Sequence, residues 1–272
     1  MISSDDVRFC LAAPAPARGW VSRWTTVGGL VIHERVPEVT PEGLPVVLLH
    51  GLAVSHRYLM PTAHPLATRH PVVVPDLPGF GLSDKPPTAL DVTEHAAVLS
   101  AWLDARGLDR VCLLGHSFGA EIAARLARLR PDVVAALVLA GATADPAART
   151  RRQQVARWTA DLQVEDPRQA AILARDIRDA GPSRVWATVG HSVHNAVEED
   201  LCDIGVPTLV LGGAWDPVVP PRWRHQVAAL TGGRVVVVPR AAHNVLTTAG
   251  QRSAEAIAAH LATVRFIRSG DG

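Results

Sequence analysis

Val111-Cys112-Leu113-Leu114-Gly115-His116-Ser117-Phe118-Gly119 is an apolar run ending in a serine that has glycine two residues to either side. The run reads as a strand buried on both faces, and residues 118–130 that follow have helix-forming composition with spaced apolar positions. A serine on so sharp a strand-to-helix turn is forced into strained backbone geometry. Side chains two residues away would collide there, which is why both flanks are glycine. Its Oγ then stands free above the sheet, and the Phe118 N–H points to where an oxyanion would form. The five-residue pattern alone is weak, arising by chance in about one chain of this size in ten or twenty. Its place between a strand and a helix gives it weight.

Working outward, similar β-type runs recur at 46–49, 72–74, 137–140, 208–211 and 235–238, each bounded by Gly, Pro or polar residues. Helix-forming stretches at 57–67, 92–106, 222–230 and 251–266 alternate with them. This alternation predicts an α/β fold with a mostly parallel central sheet and helices on both faces. Residues 24–36 read as a hairpin turning at Gly28-Gly29, adding antiparallel edge strands. The rhythm breaks at 143–203, where arginine-rich helical pieces punctuated by Pro167 and Gly181-Pro182 show no buried strand. The expected organisation is a core of 1–142 and 204–272 with 143–203 as a helical cap insertion.

An unactivated serine is a poor nucleophile, so the elbow requires a base and a group to orient that base. His243 follows the last predicted strand, and Asp216 follows the one before it on a loop opened by Gly212-Gly213. The chain order Ser117, Asp216, His243 is the serine, acid, histidine order expected for this motif. Asp145, shortly after the 137–140 strand, is the alternative acid. His50-Gly51-Leu52 follows the 46–49 strand; Gly51 frees the backbone there, so the Leu52 N–H becomes the second oxyanion donor beside that of Phe118.

Together these residues resemble the α/β-hydrolase superfamily. Asp76-Leu77-Pro78-Gly79-Phe80-Gly81-Leu82-Ser83-Asp84-Lys85-Pro86 is similar to the turn after the fourth strand of its capped members, and 143–203 stands where their cap does. The resemblance implies a cofactor-independent serine hydrolase of the esterase, lactonase or carbon-carbon hydrolase type. Haloalkane dehalogenases and epoxide hydrolases of this fold carry an aspartate nucleophile, which Ser117 disfavours. Diketone hydrolases often have Asn before the serine where this chain has His116, which lowers that alternative. The fold also hosts receptors that bind without turnover, so a ligand-binding role is the rival outside enzymes.

The remaining signals are weighed against plainer readings. Ser117 is also a good helix N-cap residue. Gly51, His116, Trp158 and Trp186 are the candidate substrate-binding residues; the two tryptophans either wall an apolar pocket or hold the cap together. His191 and His194 have the spacing of two ligands on one helix face but lack a third, so no metal is expected. Arg149, Arg151, Arg152 and Arg157 either draw an acidic substrate or form a solvated face, the commoner case. The chain has 272 residues and 27 Lys+Arg against 26 Asp+Glu, a balance that argues against nucleic acid as a partner. Three scattered cysteines, Cys10, Cys112 and Cys202, suggest neither disulfides nor a thiolate metal site. The acidic N-terminus and the lack of long apolar runs predict a cytoplasmic protein with no membrane partner. The expected partner is a small-molecule acyl substrate, with a homodimer left open.

Overall fold

A computed structural model describes residues 19–264. The chain's opening segment with Cys10, and Phe266 at the end of the last predicted helix, lie outside the described residues. Strands β1 (Trp20–Val27) and β2 (Leu30–Pro37) form an antiparallel hairpin in which Val27 faces Leu30. The two turn residues, Gly28 and Gly29, have φ 56 and φ 80. Such a turn needs positive φ at both positions, which glycine adopts without a Cβ clash.

Six further strands complete the sheet: β3 (Val46–Leu49), β4 (Val72–Pro75), β5 (Val111–His116), β6 (Val134–Ala140), β7 (Thr208–Gly213) and β8 (Arg234–Val238). The order is β1-β2-β4-β3-β5-β6-β7-β8, antiparallel from β1 through β4 and parallel from β4 through β8. Alternate side chains enter different cores. Val47, Leu49, Val111 and Leu113 pack on one face with Trp102, Ile122 and Trp223. Val46, Leu48, Cys112 and Leu114 pack on the other with Leu59, Ile257 and Leu261. Both faces are therefore dry, which explains why these strands read as unbroken apolar runs.

The first face is covered by α2 (Val92–Ala105), α3 (Phe118–Leu129) and α8 (Pro221–Thr231); the second by α1 (His56–Ala67), α9 (Val245–Thr248) and α10 (Gly250–Leu261). Between β6 and β7 lie α4 (Arg151–Asp161), α5 (Ala170–Ala180), α6 (Pro182–His194) and α7 (Val197–Cys202), with no strand. Gly181, at φ 87, ends α5, and Pro182 opens α6. The sequence starts β6 three residues late and misses the single-turn α9. A register shift between Val111 and Cys112 lets β6 begin at Val134. No helix among the described residues is long and apolar enough to cross a membrane.

Candidate active site

Ser117 links β5 to α3 with φ 54 and ψ −122, a conformation that L residues rarely adopt. Such strain costs about 1–3 kcal/mol and persists only where the surroundings impose it. They do so here. A Cβ on Gly115 would lie 2.2 Å from the Gly119 carbonyl oxygen, and one on Gly119 would lie 2.5 Å from that of His50. The Ser117 side chain makes no capping hydrogen bond to α3, so the plain N-cap reading does not describe it. The first N–H groups of a helix have no partner within it, and the positive end of its dipole lies there. The Phe118 N–H is one of these. Leu52 and Gly51 line the same cavity as Ser117.

His243 hangs over this end of the sheet with its Nε2 3.0 Å from Ser117 Oγ and its Nδ1 3.1 Å from Asp216 Oδ2. The Val218 and Val219 amides donate to the other Asp216 oxygen at 2.8 and 2.9 Å, fixing the carboxylate. Burial alone would raise Asp216; the charge and hydrogen bond of His243 outweigh it and hold the carboxyl below its ordinary value. Burial likewise opposes charge on His243, but Asp216 reverses this and raises the imidazole. An ionised Asp216 accepts a hydrogen bond from Nδ1–H, which leaves Nε2 free to accept the Ser117 proton. Asp145 makes no such contact. It binds Arg157 at 2.7 Å and Arg222 at 2.5 Å and caps the Ala147 amide.

His116 lines the cavity, yet its ring nitrogens are committed. Nε2–H donates to the His243 carbonyl at 2.9 Å, and Nδ1 accepts from the Tyr58 hydroxyl. Burial and the neighbouring His243 push it down to about 3, so it stays neutral. His50 does not line the cavity. It donates to the Gly51 carbonyl at 2.8 Å and accepts from the Leu77 amide at 2.9 Å, tying the loop after β3 to the turn after β4. That turn is built on Asp76, whose carboxylate accepts from His33 Nδ1, His56 Nδ1 and the His56 and Leu82 amides. Gly81, at φ 53, leaves room for it, since a Cβ there would fall 2.2 Å from Asp76 Cγ. His33, His56 and Asp76 also have metal-ligand spacing. Both Nδ1 atoms already bond the Asp76 carboxylate, which also takes two backbone amides, and Arg35 and Arg57 bring positive charge beside them, so the group does not suit a cation.

The cavity over Ser117 is about 250 Å³, and Trp158, Ile172, Leu173, Ile177 and Val185 of the 143–203 segment wall it opposite Gly51, Leu52 and Tyr58. Trp158 thus lies where the sequence suggests. Trp186 does not: it is 51% exposed outside the cavity, with the Arg151 guanidinium 5.2 Å from its ring. Neighbouring helix positions point about 100° apart, and Val185 faces inward instead. None of the four arginines lines this cavity; Arg157 is held by Asp145 and Arg149 by Glu198. His191 and His194 border a separate surface groove with Asp91 and Arg151, and among the described residues no third ligand joins them. Cys112 is buried, its thiol pushed up to about 12 by desolvation, which leaves it inert. Three contributors have no sequence signal of their own: Tyr58 behind His116, and Asp161 and Glu165 beside His243.

A family model described as alpha/beta hydrolase fold matches residues 45–200, and one described as TAP-like protein matches 184–270. Over 252 residues the chain is 30% identical to polyketide synthase ThaQ of Burkholderia thailandensis, covering 83% of this chain and 12% of that protein. Over 112 residues it is 39% identical to lipase LipV of Mycobacterium tuberculosis, covering 40% of this chain and 42% of LipV. The alignments therefore span less than half the length of these curated relatives. Among solved structures, a thermophilic esterase from Thermogutta terrifontis superposes with a TM-score of 0.74 at 27% identity, covering 91% of this chain and 99% of the esterase.

Proposed function

The chain belongs to the α/β-hydrolase fold family, and from that premise we propose that it is a serine hydrolase acting on a small, largely apolar ester, lactone or related acyl compound. The observation that carries the reading is the pair of contacts joining Ser117 Oγ to His243 Nε2 and His243 Nδ1 to Asp216. Ser117 attacks the carbonyl carbon as His243 takes its proton. The resulting imidazolium is stabilised by Asp216, and the tetrahedral oxyanion by the N–H groups of Leu52 and Phe118. His243 then protonates the leaving group. Water attacks the acyl-enzyme with His243 again as base, and Ser117 is regenerated.

The cavity supports a small and mostly neutral substrate. Its volume of about 250 Å³ is just below the usual range for ligand sites, aliphatic side chains and Trp158 form much of its wall, and no Lys or Arg lines it while Asp161, Glu165 and Asp166 do, which disfavours an anionic substrate. The segment 143–203 acts as a cap that sets substrate choice without supplying the reacting groups. The esterase and lipase likenesses support the same class.

The test is a turnover screen of short-chain esters, lactones, thioesters and vinylogous diketones with the parent and Ser117→Ala. The parent consumes many equivalents of an ester or lactone, and the variant loses at least about a thousandfold in rate while folding normally. A ligand bound once and released unchanged, or a fully active variant, overturns the reading.

A further inference from the structure

Two acids of the helical segment reach the main chain at His243, the residue that carries the base, and at its neighbour Asn244. Asp161 Oδ1 accepts from the His243 amide at 3.2 Å, and Glu165 Oε1 accepts from the Asn244 amide at 2.5 Å. Asp161 ends α4. Its carbonyl accepts from the Val164 and Glu165 amides at 2.9 Å, a tight turn that brings two acids four residues apart onto consecutive amides. From the opposite side, His116 donates to the His243 carbonyl at 2.9 Å. Both polar groups of the His243 backbone are therefore held by side chains.

We propose that Asp161 and Glu165 are positioning residues for His243, through which the helical segment both aims the imidazole and biases its charge. The inference rests on the role proposed for Ser117 and His243 and extends it to the segment that walls the cavity. The aim comes from the amide hydrogen bonds, because a displaced loop would carry Nε2 away from Ser117. A misplacement of about 1 Å is enough to cost on the order of a hundredfold in rate.

The bias comes from charge. The groups facing Asp161 are His243 on the loop after β8, Asp216 on the loop after β7, and Glu165 one turn on. Burial pushes Asp161 up to about 7, with His243 acting against this and Glu165 adding to it. A carboxylate there favours the imidazolium that forms during the reaction. The carboxyl carries that charge only near and above about pH 7, so removing it displaces the imidazole's titration to lower pH where the two groups overlap, near neutrality.

The experiment is the rate of Ser117 phosphonylation by a fluorophosphonate, followed across pH for the parent and for Asp161→Ala, Asp161→Asn, Glu165→Ala and Glu165→Gln, with thermal melts alongside. The alanine variants remove both hydrogen bond and charge; the Asn and Gln variants retain an acceptor and remove only the charge. Asp161→Ala should label at least about tenfold more slowly. Asp161→Asn should stay within a few-fold of the parent above neutral pH, with its acid limb displaced to lower pH. If Asp161→Ala does not fold, the displaced limb in Asp161→Asn decides the matter. Parent-like rates and an unmoved pH profile in the folded variants overturn the proposal and leave the serine hydrolase reading standing. A parent that does not label at Ser117 removes that reading and this inference with it.

Discussion

The central sheet and the 143–203 segment are held in different ways. Every residue of β3, β5 and β7 is buried, and the strands bond to neighbours through backbone ladders between two apolar cores. In the segment, α4 buries only Gln154 and Asp161, both polar. Elsewhere the segment sends Ala180, Val197 and Leu201 into one core and Ile172 into the other, and directional contacts add to this: Asp145 to Arg157 and Arg222, Asp176 to Ser55, and Glu121 to Thr143, Ser192 and Asn195. Burial over two sheet faces sums to a large, shape-tolerant stabilisation, whereas each polar contact has a net worth of only about 0.5–3 kcal/mol. Ser117, at the end of β5, sits at the rigid end of this contrast, and the 143–203 wall of the cavity at the loose end. A wall fastened in this way can open or be remodelled without displacing the elbow.

The sharpest test of that division compares two acids. Asp216→Asn should lower kcat/KM by roughly a thousand- to ten-thousandfold, because the imidazole loses the partner that fixes its tautomer. Asp145→Asn weakens a fastening and should cost less than about tenfold. Steady-state kinetics on one neutral ester decides, and the reverse ranking would place the orienting acid in the wrong region. Across pH, kcat/KM of the parent should fall as pH drops through the raised His243 value, since only the neutral ring takes the serine proton.

A smaller effect separates the two tryptophans. Trp158→Ala should change relative kcat/KM among acyl sizes by about 10- to 100-fold while labelling of Ser117 persists. Trp186→Ala should leave the substrate ranking unchanged, because that ring faces solvent. Equal shifts in both variants would mean that selectivity does not reside in the wall of the cavity.

Glu121 offers the smallest effect and probes the fastening alone. Burial pushes its carboxyl from 4.5 up to about 7, against the hydrogen bonds of Ser192, Thr143 and Asn195. A folded value above the unfolded one means that the folded protein holds the extra proton. The associated stability is complete below about 4.5 and is lost as pH rises through about 7. Chemical denaturation across that window should show the parent losing on the order of 1–3 kcal/mol relative to Glu121→Gln. Parallel stability curves would show that Glu121 does not titrate there.

The same contrast governs what can be read from the sequence. Strands buried on both faces announce themselves as short Val/Leu runs, and an elbow that tolerates no Cβ at 115 or 119 leaves two glycines in the string. The order Ser117, Asp216, His243 is legible because each residue follows a recognisable strand. The polar fastenings are not. Asp161 and Glu165 meet amides 82 and 79 residues away, and Tyr58 meets a histidine 58 residues away, so no local period marks them. Trp186 misleads for a related reason, since composition places a tryptophan in the segment but not its rotation about the helix axis. The role of Asp76 is hidden similarly, because two of its donors, His33 and His56, lie on other elements.

The account stands most directly on which atom reacts. Incubation of the parent with one equivalent of a fluorophosphonate, followed by peptide mass mapping, should place a single adduct on Ser117. Ser117→Ala, folded to the same melting temperature, should carry none. An adduct on any other residue, or a parent left unmodified while another hydrolase in the same buffer is labelled, would contradict it.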